Sequence, residues 1–281
     1  MSLLRNNSKK HIKREGQQDL FSALCVIIAL IVILFIGSAL LAIILSGLPC
    51  FTSVLKSEEI MAALKLSFAT ATVSSVIVVF LSLPTSYALT RTEFPLKNVI
   101  TLILQLSMSL PFILLGFSLL IIFSSPFGQF LKAHGIRVIF APLGIIMAHI
   151  IVNLPYAIRL IRTSFLDTDR RLEFIAETLG AGKWQCFKYV LLPLSRNSLI
   201  STFVLVWSRA MGEFGATLMV CGITRFKTET LPGSIYLSIT VGDNDTAMAT
   251  AMLMLLISSL TLIVAQVAER KDKDLKRQIY N

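Results

Sequence analysis

Five stretches of this chain run without charge, and a sixth with only two charged residues, for longer than an ordinary soluble fold of this size accommodates. Residues 20–55, 66–90, 98–131, 138–158 and 246–268 contain no Lys, Arg, Asp or Glu, and residues 197–224 are interrupted only by Arg209 and Glu213. Each exceeds the roughly 20 residues that an α-helix needs to cross a hydrocarbon layer about 30 Å thick. The pattern predicts an all-α membrane protein with six transmembrane helices. A hydrophobic content of 55% and a mean hydropathy of +0.77 belong to that class and exclude a soluble domain.

The net charge of +10 invites a nucleic-acid reading, but the distribution of the charge opposes it. Basic residues gather at the ends of the apolar runs. With the amino terminus inside, nineteen Lys/Arg fall on the cytoplasmic side and six on the outer side, so the positive-inside rule places both termini in the cytoplasm. Residues 1–19 then form a basic tail that contacts anionic lipid or serves only as a topology signal. Residues 20–268 form the six-span domain, and residues 269–281 a second charged tail. The first span is almost wholly aliphatic and should face lipid. The second carries Ser67, Thr70, Thr72, Ser74, Ser75, Ser82 and Ser86, small hydroxyl residues that allow close helix contact, and should lie inside. Pro111 and Gly116 mark a kink or close packing point in the third. The four cysteines, Cys25, Cys50, Cys186 and Cys221, show no metal-ligand spacing, and Cys186 is expected to face the cytosol.

Between the fourth and fifth spans lies a polar island, residues 159–196, with seven Lys/Arg and four Asp/Glu. Within it Leu172, Ile175, Ala176 and Leu179 recur at helical spacing, opposite Arg170, Glu173 and Glu177. Asp167, Thr168 and Asp169 offer N-caps, and Gly180 and Gly182 end the helix. The apolar stripe is expected to pack on the chain's own helices. Phe174, about 200° round the wheel from Leu172, then points into water and toward a partner. A short interfacial helix in an ordinary loop is the plainer reading. Gly180-Ala-Gly182-Lys183 resembles half a phosphate-binding loop, but Glu177 and Trp184 stand where that motif needs Gly and Ser or Thr. The chain does not bind ATP through it.

This island resembles the cytoplasmic signature of ABC importer permeases: Glu-Ala-Ala, three residues, Gly, nine residues, Ile, one residue, Leu-Pro. Ala176, Gly180, Val190, Leu192 and Pro193 stand at the matching positions, while Phe174 and Ile175 replace the usual Glu and Ala, with Glu173 adjacent. The resemblance implies a type I ABC importer permease fold, in which this short helix is the coupling helix seated in a cleft of the ATP-hydrolysing subunit. Glu173, Phe174, Ala176, Glu177, Gly180, Gly182 and Pro193 are the residues it assigns to that coupling.

Two further places carry polar groups at membrane depth. His149 in the fourth span either lines a path for protons or sits neutral, hydrogen-bonded to a neighbouring helix. Arg209 and Glu213 are four residues apart, so a continuous helix would put them on one face as an ion pair. Gly212 and Gly215 flank the Glu and permit close approach or bending. A pore gate and a helix-packing clamp are both consistent with this pattern, with Arg209, Gly212, Glu213, Phe214, Gly215 and Thr217 as its members. The run Gly212 to Met219, with Thr228-Glu229-Thr230-Leu231-Pro232, Ile235-Tyr236, Ser125 to Gly128 and Leu154 to Arg159, is similar to the permeases for molybdate, tungstate and sulfate. Cys221-Gly222-Ile223 departs from the Ala-Gly-Asn usual in the molybdate group.

The resemblance implies a plasma (inner) membrane protein with two copies of an ATP-hydrolysing ABC subunit, a second copy of this permease, an extracytoplasmic oxyanion-binding protein, and alternating access without cofactor or metal. It also implies no enzymatic site in the chain itself, and no nucleic acid among its partners, which are otherwise membrane lipid. An ion-coupled secondary transporter is the alternative, with His149, Arg209 and Glu213 as its candidate coupling groups.

Overall fold

The computed structural model describes the backbone of residues 2–280 and the side chains of residues 21–263, and it is helical throughout, with no strand among the described residues. The side chains of both charged tails, and the lipid contact expected of the first, lie outside the described residues. Five helices are long and apolar enough to span a membrane: residues 21–47 of α1 (Ser2–Gly47), α3 (Glu58–Arg91), α7 (Pro142–Leu166), residues 183–211, and residues 244–263 of α13 (Asn244–Tyr280). A short α2 (Phe51–Lys56) joins the first two.

The third expected span is not one helix. It divides into α4 (Lys97–Ser109) and α5 (Phe112–Ser124), which meet at 114°. Pro111 lacks the N–H that would continue α4, and it holds Leu110 in extended backbone, φ −79° and ψ 143°. Counting that bent pair as one span makes six. The chain continues through α6 (Pro126–Ala133) into α7.

α3 is the central strut. Ser57 caps it, accepting from the Ile60 N–H at 3.4 Å, and Glu58 and Glu59 occupy the positive end of its dipole. It packs along α7, and the hydroxyl residues expected inside are buried, except the half-buried Thr72, which accepts from the Trp207 indole N–H. The Ser86 hydroxyl donates across to the Ile158 carbonyl at 3.1 Å, and Ser67 accepts from the Leu231 N–H at 2.8 Å. Small side chains bring the backbones close enough for such bonds. By contrast the apolar part of α1 is exposed along its length and suits lipid.

After the island, α8 (Arg170–Thr178) and α9 (Lys183–Cys186) lead through a single π-helical turn, Phe187–Leu191, into α10 (Leu192–Met211). In that turn the Leu192 N–H reaches the Phe187 carbonyl five residues back, and Pro193, which has no N–H to give, follows directly. The fifth expected span stops at Met211; α11 (Gly215–Cys221) resumes after a three-residue break. The segment that follows is no solvated loop. Thr228, Glu229 and Thr230 are buried, and Leu231 at the start of α12 (Leu231–Thr240) enters the main apolar core beside Val54, Trp207 and Met211. The Ser234 hydroxyl donates to Glu229 Oε1 at 2.6 Å, and burial pushes that carboxyl above the usual carboxylate range, beside an Arg225–Glu59 ion pair of 2.7 Å.

The two breaks lie against each other. A Cβ on Gly116 of α5 would stand 2.5 Å from the Cα and carbonyl oxygen of Ala216 in α11, and one on Gly215 would stand 3.4 Å from the Ile113 nitrogen. Gly116→Leu should therefore drive two backbones apart, at a cost of about 1–3 kcal/mol or more. Thermal unfolding in detergent is expected to show a midpoint lowered by roughly 5 °C or more. Gly37→Leu on α1, where nothing lies within 4 Å, should leave it in place.

Candidate functional site

At the island end, α8 is held by a buried ion pair. Arg91, the last residue of α3, sets its Nη2 2.7 Å and its Nε 2.8 Å from Glu173 Oε1. The two side chains are 7% and 11% exposed. The same guanidinium donates to the Phe165 carbonyl at 2.8 Å, at the end of α7. Arg170 donates to the Thr90 carbonyl at 2.7 Å, and Cys186, buried rather than open to the cytosol, points its sulfur at the Glu173 carbonyl at 3.8 Å. Asp169 caps α8 through the Arg171 N–H at 2.9 Å, and Gly180 ends it with φ +92°. Gly182 begins α9, its N–H bonded to Gln185 Oε1 at 2.7 Å.

This clamp reverses the expected orientation of the helix. Glu173 is the residue α8 buries, while Leu172, Ile175 and Leu179, expected to pack inward, are exposed, Leu179 at 84%. The reason is the pairing: an acid that meets a buried arginine and its carbonyl-bound guanidinium takes the inward face. Phe174 is exposed as expected, at 65%, and Trp184 joins it from α9. The result is a helix fixed to the protein by charge, showing an apolar surface. Ala176 is half-buried and Glu177 exposed beside Lys183 in the cleft between α8 and α3, while Pro193 lies further along at the start of α10.

The second cluster surrounds the break after α10. Arg209 and Glu213 do not pair. Because α10 ends at Met211, the i,i+4 relation fails and the two side chains part. Glu213, 4% exposed, turns onto the first turn of α11: Oε1 accepts from the Ala216 N–H at 2.8 Å, and Oε2 from the Thr217 N–H at 3.0 Å and the Thr217 hydroxyl. Arg209 instead lies between two rings, its guanidinium carbon 4.9 Å from the Phe112 centroid and 5.0 Å from that of Tyr156. Phe214 packs on Tyr236 at 5.3 Å between centroids, and Gly212 is exposed at the break. The broken helices α4–α5 and α10–α11 thus share one seam, with a cation stacked across it.

His149 follows the plainer of its two readings. Its Nδ1 lies 3.3 Å from the Ser74 hydroxyl of α3, Asn153 bonds its carbonyl, and among the described residues no acidic side chain bonds to it. Sequence reasoning missed Arg91, Tyr156 and Phe112. Arg91 reads as a topology charge at a span end, Tyr156 only as part of the Leu154 to Arg159 run, and Phe112 only as one apolar residue of the third span.

The family described as "Binding-protein-dependent transport system inner membrane component" matches residues 82–273, which take in the clamp's Glu173, the whole island and the seam from Phe112 to Thr217. The chain belongs to this family. Among relatives of this permease, the molybdenum transport system permease protein ModB of Mycobacterium tuberculosis is 32% identical over 82% of this chain and 88% of its own length. The sulfate transport system permease protein CysT of Escherichia coli is 30% identical over 75% and 77%. The molybdate/tungstate permease protein WtpB of Thermococcus kodakarensis is 30% identical over 62% and 66%. In fold the permease matches a bacterial alginate ABC transporter chain with a TM-score of 0.70 at 16% identity, covering 93% of this chain and 96% of that one. A chain of the MetNI methionine ABC transporter matches with a TM-score of 0.61 at 20% identity, covering 77% and 99%.

Proposed function

We propose that this permease is the membrane-spanning subunit of an ATP-driven importer of a tetrahedral oxyanion, with molybdate or tungstate ahead of sulfate. The observation that carries the ATP-driven reading is α8 itself. A nine-residue helix locked to the protein through Glu173 presents Leu172, Phe174, Ile175 and Leu179 outward, a surface suited to a partner subunit and wasteful in a loop that only turns. The choice of anion rests on the relatives, whose names speak of molybdenum, molybdate/tungstate and sulfate transport.

In this reading α8 is the coupling helix and the island is cytoplasmic, with both termini on the same side. Two ATP-hydrolysing subunits engage two copies of the permease, and an extracytoplasmic oxyanion-binding protein delivers the anion from the other side. Closure of the ATPase pair on ATP moves α8; because Arg91 and Arg170 bind α8 to α3, that movement passes to the central strut as one body. The seam of broken helices, where α5 and α11 meet, is the gate that changes shape. ATP drives this only through its different affinity for the inward and outward states.

The test is purification of the chain co-expressed with its genomic neighbours in mild detergent. An ATPase in equal stoichiometry is expected. Phe174→Asp places a charge where an apolar ring is buried, at a cost of about 2 kcal/mol or more, and should weaken that association roughly thirtyfold or more while the permease keeps its elution volume and thermal midpoint. An unchanged affinity removes Phe174 from the interface.

A further inference from the structure

Toward the island end, α4 and α7 part around a cavity of about 410 Å³. Positions 101, 104, 105 and 108 of α4 and 159, 162, 163 and 166 of α7 line it. Both sets follow the spacing i, i+3, i+4, i+7, so the cavity is a groove between two whole helix faces.

What distinguishes this groove is charge without a counter-charge. Arg159 and Arg162 stand one turn apart on its wall. Among the described residues neither guanidinium has an acceptor, and Arg162 Nε is shut away from solvent with none. The acids nearby do not answer them. Glu173 is committed to Arg91, Asp169 to the Arg171 N–H, and Asp167 lies exposed at the end of α7 with no bond to either arginine. The hydroxyls of Thr101 and Thr163 give their protons to the Lys97 and Arg159 carbonyls, at 2.9 and 3.0 Å. The remaining donors are therefore the two guanidiniums and the exposed amide of Gln105.

Two planar forks and an amide on the walls of one groove complement a group with several anionic oxygens. Arg159 is exposed, whereas Arg162 buries its Nε without an acceptor, and a bound anion offsets the cost of that unmet donor. Position along α7 adds a second observation. Tyr156, the ring that stacks against Arg209, precedes Arg159 by one turn, so three cations follow one another from the seam to the groove. From Tyr156 to Arg162 the helix rises about 9 Å at 1.5 Å per residue.

We propose that the groove between α4 and α7 is a binding site for a tetrahedral oxyanion, held by Arg159 and Arg162 with Gln105. Its identification with the transported anion rests on the importer reading above. The same chemistry is found in the phosphate of an anionic lipid.

The experiment uses the full chain in nanodiscs of phosphatidylcholine, and separately of phosphatidylcholine with phosphatidylglycerol, titrated with sodium molybdate and sodium sulfate in a calorimeter. The site predicts saturable binding in the neutral discs. The double variant Arg159→Gln/Arg162→Gln should weaken it at least tenfold. Leu104→Trp, which fills the groove and keeps both arginines, should do the same, so a folding defect in one variant does not decide the matter. Equal affinity in both disc types identifies a soluble anion as the occupant. Loss of binding in the anionic discs identifies a lipid phosphate, provided native mass spectrometry finds a phospholipid retained by the wild type and lost from the double variant. Anion binding and lipid retention that are the same in wild type and both variants, or absent from all, overturn the site. ATPase co-purification from the same preparation reads the importer assignment separately: its failure with anion binding intact overturns that assignment and leaves the groove standing.

Discussion

Glu173→Ala is expected to release α8 while the spans stay folded. The mutation leaves the Arg91 guanidinium with only main-chain acceptors in a place where its side chain is 7% exposed. Removing one member of a buried pair costs about 3–5 kcal/mol, because the remaining charge keeps its desolvation penalty. That cost falls on the weakest structure that shares it. α8 is nine residues long, too short to hold together alone, whereas α3 and α7 are packed along most of their length. Local opening is therefore the cheaper response. Amide exchange across residues 170–186, followed by mass spectrometry, should quicken about a hundredfold or more, with α3 and α7 unchanged. The double change Arg91→Met/Glu173→Met removes both charges and should restore most of the protection. Exchange that stays slow in Glu173→Ala would mean that the apolar contacts of α9 and the following π turn, not the ion pair, hold the helix. In the proposed importer the same variant should hydrolyse ATP without moving anion, since the ATPase would pull on a helix no longer joined to α3.

Why this clamp escaped the sequence is instructive. The bounds of α8 were legible, because Asp169 and Gly180 act through bonds to their own neighbours. Its orientation was not. A hydrophobic stripe is normally the inward face, and the partner that inverts it, Arg91, lies 82 residues earlier in the chain. The burial of α3 was legible because small hydroxyl residues such as Ser74 and Ser86 allow another backbone to come close. The bend at Leu110–Pro111 was legible as a kink, while its 114° depends on where α5 finds Ala216. The ion pair of Arg209 with Glu213 failed for a local reason. It assumed an unbroken helix across Gly-Glu-Phe-Gly, a run whose two glycines already favour a break. Once α10 stops, a carboxylate two residues beyond its end is better placed on the orphan N–H groups of the next helix than on an arginine of the last.

That placement makes Glu213→Gln the second large effect. The carboxylate meets three donors with two oxygens. An amide has one oxygen, and its NH2 would face either an N–H or a hydroxyl that needs an acceptor. At least one buried donor is left unsatisfied, at about 1–3 kcal/mol, and the charge that favours the start of α11 is lost as well. The thermal midpoint in detergent should fall by roughly 5–10 °C. Arg209→Lys is a different kind of change. Its side chain is exposed and stacked between Phe112 and Tyr156, so a lysine should keep the fold and, in the proposed importer, lower transport. Because the two groups have separate partners, the double variant should be additive within about 0.5 kcal/mol. A coupling well above that value would restore the direct pair. Additivity, with Glu213→Gln lowering stability and Arg209→Lys lowering transport alone, would divide the seam into a cap that builds the break and a cation that uses it.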